Sequence, residues 1–306
     1  MLAYTVRRIL ILIPVLLLVS VLVFLMLHLI PGSPERALLG LTATQEQIEA
    51  TRARLGLDKP LPVQYGIFLI NAVQGDFGRS ILSRKPVTHE IGTRMWPTFQ
   101  LGLAAAAIAT VLGISTGTIS ALSRGTIIDL ASTGVATLGI SVPVYWLGLM
   151  LMLVFAVRLE WLPSAGRDGL AHLIIPAFTL GTYSTSVISR MTRTCVLRVL
   201  AADHVRTAHA KGLSRKAVLA RHVLRNALVP IVTIVGLQLG SLLSGAVITE
   251  TVFAWPGIGK LLVDSVRARD YPVVQALILF FAVLFSVLNL VTDILYTYLD
   301  PRMRCN

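Results

Sequence analysis

Six stretches of this chain run almost free of charge for the length a helix needs to cross a lipid bilayer: residues 9–30, 98–122, 127–157, 172–191, 227–248 and 273–296. A crossing takes about 20 mostly apolar residues, because the hydrocarbon layer is about 30 Å thick and offers the backbone no hydrogen-bonding partner. Each run therefore predicts a membrane-spanning helix. The fourth is the most dilute, carrying Thr179, Thr182, Ser184, Thr185, Ser186 and Ser189. The first follows Arg7 and Arg8 without a small-residue cleavage site, so it reads as a retained helix and not as a signal peptide. Pro143 and Pro176 fall inside the third and fourth runs and predict kinks.

Two interruptions are longer than turns. In the first, residues 31–96, Thr44 and Gln47 have the spacing of a capping box, and residues 45–55 read as a helix that stops at Gly56. Pro60 and Pro62 then punctuate the chain, and residues 61–73 are apolar but too few to cross, which places them at the interface or on the mouth of the bundle. This region reads equally as a docking or lid element for an external partner and as a cap over helix ends. The second interruption, residues 203–230, is DHVRTAHAKGLSRKAVLARHVLRNALVP. Asp203 can cap a short helix through Lys211, Gly212 can end it in the left-handed conformation, and Ser214 can start a second helix that runs toward Pro230. Val218, Leu219, Val223, Leu224 and Leu228 recur at helical spacing, with Arg215, Lys216, Arg221 and Arg225 between them. Thr207, Ala208 and Ala210 are small and let a partner surface come close. The residues alone leave two readings open: a handle gripped by another protein, or a basic amphipathic segment lying on the inner leaflet.

Composition agrees with a bilayer as solvent: 55% of residues are hydrophobic, 14% are charged and the mean hydropathy is +0.77. Charge then orients the bundle. With the N-terminus inside, the cytoplasmic connections hold fourteen Lys and Arg residues and the two short outer ones hold five: Arg158, Arg167, Lys260, Arg267 and Arg269. Basic residues favour the cytoplasmic side, so both termini are expected there, with six crossings between them. The net charge of +12 follows from this basic inner face, which attracts anionic lipid and needs no nucleic acid. Cys195 and Cys305 both fall on the reducing side, which argues against a disulfide, and they lack zinc-ligand spacing.

Candidate chemistry is sparse. Polar residues inside a membrane are costly and tend to face the bundle interior or a wet path. Ser141, Thr182, Gln238, Ser241 and Ser244 are the pore-lining candidates on that ground. Gly236 with Gly240, extended by Ser241 with Gly245, offers the competing reading of close helix packing. Asn289 and Asp293 read as an internal pair, and Trp96, Trp161 and Trp255 as interfacial anchors. Gly113, Ser115 and Gly117 fit G-x-S-x-G but lie in an apolar helix, where small residues serve packing better than they serve a nucleophile elbow. No HExxH pair exists, no metal site is read, and GIGK at 257–260 lacks the other residues of a phosphate-binding loop.

The run DHVRTAHAKGLS followed by RHVLRNALVP resembles the cytoplasmic coupling segment of permease subunits in the bacterial dipeptide, oligopeptide and nickel branch of ABC importers. VPVYWLGLMLMLVFAVRLEWLPSAG, ETVFAWPGIGKLLVDSVRARDYPVVQ, GDFGRS and LDPRMR are similar to further stretches of that family, in the same order and over nearly the whole chain. His204 and His209 stand where the family more often has Tyr and Arg, and the 212–230 interval is longer than in the wider importer superfamily. The resemblance implies an all-α integral membrane protein of the type I importer class, one permease domain over 1–306. Within it lie an extracytoplasmic loop region, 31–96, and a coupling segment, 195–225. It implies no catalysis in this chain: a second, homologous permease completes the pore, two cytoplasmic ATPase domains bind ATP and Mg, and an extracytoplasmic binding protein delivers cargo. Asp203, Arg206, Thr207, Ala208, Ala210, Lys211 and Gly212 then form the ATPase-coupling helix. Di- or oligopeptides are the expected cargo, with a nickel chelate or glutathione as alternatives. An ion-coupled carrier is the rival outside the family, and copurification with ATPases separates the two.

Overall fold

The computed structural model describes residues 2–29, 44–46, 49 and 58–299, and the side chains of these except 2–9, 27–29, 229, 241, 243, 244 and 292–299. Of the expected helix at 45–55, residues 45, 46 and 49 are described and are helical; the rest of it, Gln47 of its capping box and Cys305 lie outside the described residues. Regular structure among the described residues is helical, apart from one isolated bridge between Arg79 and Pro86. Packing sorts the chain into two units, Met1–Trp96 with Gly257–Leu290 and Pro97–Pro256 with Val291–Asn306.

The first unit holds α1 (Leu2–Leu29), α2 (Leu61–Val73), the start of α3 (Val87–Leu122), and two later helices described below. Helix α2 buries none of its residues fully, and it lies against α1. Phe24 meets Tyr65 edge-on at 5.5 Å, and the Tyr65 hydroxyl is 2.8 Å from Ser20 Oγ. The core of this unit joins Val87 and Ile91 to Ile258, Leu261, Val273, Ala276 and Leu277.

The second unit holds the rest of α3, then α4 (Ile127–Ser141), α5 (Val144–Leu151) running into a π-helical turn at Met152–Arg158, and α6 (Ala171–Leu200). After these come α7 (Asp203–Ala210), α8 (Arg215–Val218), a second π turn at Leu219–Leu224, and α9 (Arg225–Val252). The first unit's later helices are α10 (Ile258–Arg267) and α11 (Tyr271–Leu299), the latter passing into the second unit.

Helix α6 is the hub of its unit and packs along α4, α5 and α9. Its serines and threonines explain why it is the least apolar of the expected crossings. Thr179, Ser184, Ser186, Ser189 and Thr192 are buried in the chain's own interior, where small residues let helices close up. A Cβ on Gly113 would come within 2.7 Å of Ile188 Cγ2, and one on Gly181 within 2.8 Å of the Ala105 carbonyl oxygen. One on Gly117 would collide with the Ser189 carbonyl oxygen and one on Gly139 with Ser186 Oγ. The G-x-S-x-G run is therefore packing surface on both of its glycines.

Three expectations about the crossings change. The third run does not form one helix, because α4 stops at Ser141 and the chain resumes past Pro143, turned by 109°. Val142, which precedes the proline, is extended at φ −80° and ψ 126°, since a following proline ring disfavours the helical region. The helix expected to run toward Pro230 runs through it: Pro230 lies inside α9, which continues to Val252. Trp255 is not an interfacial anchor. It is fully buried, and its Nε1–H donates to the Pro97 carbonyl at 2.9 Å. Trp96 and Trp161 remain exposed. Among the described residues, Val87–Leu122 and Tyr271–Val291 are long and apolar enough to cross a bilayer, and up to four spans result if each bent pair counts as one.

Candidate functional site

The 203–230 insert is built on local rules and then anchored by two side chains. After α6, Ala202 is extended at φ −77° and ψ 146° and takes the capping position that the sequence assigned to Asp203. Asp203 instead occupies the first turn of α7, where its charge faces the positive end of the helix. Its carbonyl accepts from Thr207 Oγ1 at 3.0 Å, and its carboxylate lies 3.9 Å from Arg206 Nη1. The helix closes on Gly212, whose φ of +78° strains any side-chain-bearing residue. The Gly212 N–H donates to the His209 carbonyl and the Leu213 N–H to the Ala208 carbonyl, the paired bonds of a Schellman motif. Ser214 caps the next helix by accepting from the Ala217 N–H at 3.4 Å.

Val205 and Ala208 are the residues of α7 that turn inward. They join a cluster of Ala121, Cys195, Val196, Val218, Val223, Ala227 and Ile231. Ala208 is 4% exposed, so the expectation that it offers close packing to a partner is corrected: its methyl group seats α7 on its own chain. The reason is helical spacing, which puts positions three apart on one face. Asp203, Arg206, Thr207, Ala210, Lys211 and Gly212 stay exposed, as do His204 and His209. His204 Nε2 lies 3.3 Å from Asn226 Nδ2, so this histidine adds a polar tie between α7 and the start of α9. Burial pushes the Cys195 thiol above its ordinary range, partly opposed by the Arg198 charge.

Ser141 is exposed and its Oγ donates to the Thr137 carbonyl at 3.0 Å, while Thr182 Oγ1 donates to the Phe178 carbonyl at 2.8 Å. Gln238 is half-buried, and its Nε2 is buried without a hydrogen-bond partner among the described residues. The side chains of Ser241, Ser244 and Asp293 lie outside the described set. Gly245 faces Leu180 closely, with Cδ1 at 2.9 Å from an added Cβ. Gly236 and Gly240, read as a packing pair, meet no described atom within 4 Å of an added Cβ.

Sequence reading missed the ionic centre of this unit. Arg193 of α6 reaches Asp129 of α4 with Nε at 2.8 Å from Oδ1 and Nη2 at 2.9 Å from Oδ2. Ser120 Oγ donates to the same Oδ1 at 2.6 Å and the Gly125 N–H to Oδ2 at 3.0 Å. A usable signal was present, because a carboxylate in the first turn of an apolar run demands a partner. Two further buried carboxylates organise helix ends. Glu250 accepts from Thr98 Oγ1 at 2.6 Å, and Asp270 binds Ser80 Oγ and the Ile81 N–H. An apolar groove of about 710 Å³ also opens beside α3, the first π turn and α6, lined by Val111, Leu112, Phe155, Ile174 and Phe178.

Comparison with known proteins adds relatives to this geometry. Residues 109–305 match the family described as binding-protein-dependent transport system inner membrane component, and residues 1–101 match the N-terminal family of such membrane components. The chain is 48% identical over 304 residues to the glutathione transport system permease protein GsiC of Escherichia coli strain K12, covering 99% of each chain. It is equally similar, at 48% identity over the same length, to the protein of that name from Pectobacterium atrosepticum. Among solved structures, an inward-facing form of the MetNI methionine ABC transporter matches with a TM-score of 0.60 and 17% identity, over 71% of this chain and 99% of that one. An amino acid ABC transporter with histidines matches with a TM-score of 0.54 and 13% identity, over 68% and 92%.

Proposed function

We propose a function from one premise: the chain belongs to the family of binding-protein-dependent transport system inner membrane components. It is a permease subunit of an ABC importer and a multi-pass protein of the plasma membrane. In our reading the chain is a single permease domain of the type I class with six crossings and both termini in the cytoplasm. A second permease subunit completes the pore. Two cytoplasmic ATPase domains supply ATP hydrolysis, and an extracytoplasmic binding protein loads the cargo. The 31–96 region faces that binding protein, and 195–225 faces the ATPases.

One observation supports the coupling role above the others. Helix α7 is a short peg seated by Val205 and Ala208 and closed by a glycine motif, and it turns Asp203, Arg206, Thr207, Ala210 and Lys211 outward. A groove in an ATPase domain can hold such a peg, and closure of the ATPases then moves α6 and α9 as rods. Each nucleotide state favours one arrangement of the crossings, so the openings alternate by population shift.

For cargo we infer a short peptide-like solute, with glutathione the first to test. The support is end-to-end similarity to permeases named for glutathione transport, which favours glutathione, an alternative in the sequence reading, over the di- and oligopeptides expected first. Within the pore, Gln238 is the strongest lining candidate because its amide nitrogen has no partner among the described residues.

Purified complex in proteoliposomes, given its binding protein and ATP, tests both parts. Uptake of labelled glutathione that stops when the ATPase nucleotide sites are inactivated is the expected result. Uptake that continues without them overturns the permease assignment of energy source. Stimulation of hydrolysis by dipeptides but not by glutathione overturns the cargo reading alone.

A further inference from the structure

We propose that the Arg193–Asp129 pair is the linkage through which displacement of α7 reaches α4, and so a positioning pair for transport. The inference rests on the coupling role assigned to α7. Two residues, Ala201 and Ala202, separate the end of α6 from the start of α7, and both helices share the cluster around Val205, Ala208, Cys195 and Val196. The end of α6 therefore follows any push on α7. Arg193 lies two turns before that end and holds both oxygens of Asp129 in a parallel, two-bond fork.

Such a fork fixes separation and rotation together, which a point charge or an apolar contact leaves free. Ser120 at the end of α3 and the backbone of Gly125 donate to the same carboxylate, so the α3–α4 corner is bound into the joint. The four donors match the capacity of one carboxylate. Arg193 is half-buried against a buried Asp129, and a well-packed apolar pair often serves folding as well as such an ion pair, so the charges need not be there for stability alone.

The far end of α4 completes the device. It stops at Ser141, and the extended Val142–Pro143 step turns the chain by 109°. Helix α4 is thus a rod gripped at its first turn and broken at its last. When α6 moves, the fork carries the start of α4 with it and the bend at Pro143 takes up the change. Ser141, exposed at the break, reports that motion.

The test uses the full complex in proteoliposomes with its binding protein and glutathione, in a cysteine-free background carrying Ser141→Cys. Maleimide labelling is compared between nucleotide-free and vanadate-trapped states for wild type, Asp129→Asn, Arg193→Gln and the exchange Asp129→Arg/Arg193→Asp. ATPases are expected to copurify in every variant. In either single variant, stimulation of hydrolysis by the binding protein falls about ten-fold, the size of an ordinary coupling between sites. State-dependent labelling disappears with it, and the exchange restores both.

Single variants that keep stimulation and state-dependent labelling overturn the linkage. So does an exchange variant that assembles without recovering them, or the joint failure of single and exchange variants to assemble, which marks a purely architectural pair. Failure of the coupling reading shows differently: Thr207→Arg, on the exposed face of α7, would then leave ATPase recruitment unchanged.

Discussion

Trp255 donates its indole N–H to the carbonyl of Pro97 at 2.9 Å, and its side chain is fully buried. The Arg167 guanidinium lies 5.9 Å from the ring centre and also bonds Gln100 Oε1, so one loop is tied to the start of this unit's α3 segment through the same corner. Removing the ring by Trp255→Ala opens a large cavity and is expected to cost about 3–5 kcal/mol. Trp255→Phe keeps most of the volume and leaves the Pro97 carbonyl short of one donor, costing about 1–3 kcal/mol. Thermal unfolding of the detergent-solubilised chain ranks them. Equal midpoints for wild type and Trp255→Phe would show that the indole N–H contributes nothing.

Glycine positions separate into packed and open. Gly117 sits against the Ser189 carbonyl and Thr192, whereas Gly236 meets no described atom within 4 Å of an added Cβ. Gly117→Val is expected to destabilise the purified chain by about 1–3 kcal/mol or more through overpacking. Gly236→Val should leave its unfolding midpoint close to wild type. A reversed order of the two midpoints would refute this account of α3 packing on α6.

The turn at Gly212 is open to the same kind of test at the coupling helix. Its φ of +78° places a β-branched residue in the left-handed region, at a cost of about 1–2 kcal/mol, so Gly212→Val should unravel the end of α7. Ala208→Arg forces a charge into the cluster that seats the helix, while Thr207→Arg alters only the outer face. Pull-down of the ATPases should fall in all three, and loss of the chain's own thermal stability only in the first two. Unchanged recruitment with Gly212→Val would count against α7 as the docking element.

Cys195 should resist thiol reagents. It is buried, and burial pushes its thiol up, so at pH 8 it holds less of the reactive thiolate than an exposed cysteine of ordinary range. In this background maleimide should modify Thr207→Cys far faster than Cys195. The raised folded-state value also fixes a sign: the thiol favours the fold below its ordinary range near about 8.5, and that contribution is lost as pH rises past it. Wild type should therefore lose midpoint relative to Cys195→Ala above that range, as differential scanning at alkaline pH can read.

Asp270 is 2% exposed and gathers the 80–83 turn through Ser80 Oγ and the Ile81 and Leu82 N–H groups. Asp270→Ala leaves these donors without their acceptor and should loosen the turn. Trypsin cleavage after Arg84 is expected to accelerate several-fold, mapped by mass spectrometry. A cleavage rate equal to wild type would mean that the turn holds its shape unaided.

Some of this protein is determined by residues near one another in the chain. The apolar runs dictate helices, because a backbone in hydrocarbon must satisfy itself within the segment. The left-handed stop at Gly212, the cap at Ser214 and the short α2 likewise depend on a few consecutive residues, and the sequence makes them legible. Tertiary structure alone decided which face of each helix meets another. Ala208 turned inward, Trp255 left the interface for the interior, and the serines and threonines of α6 became packing surface. Apolar periodicity is blind to these choices when a helix is greasy all round, since every face is then equally soluble in lipid. The pairing of Arg193 with Asp129, 64 residues apart, is the extreme case: composition requires a buried carboxylate to have a partner, but only the approach of α6 to α4 selects which arginine it is.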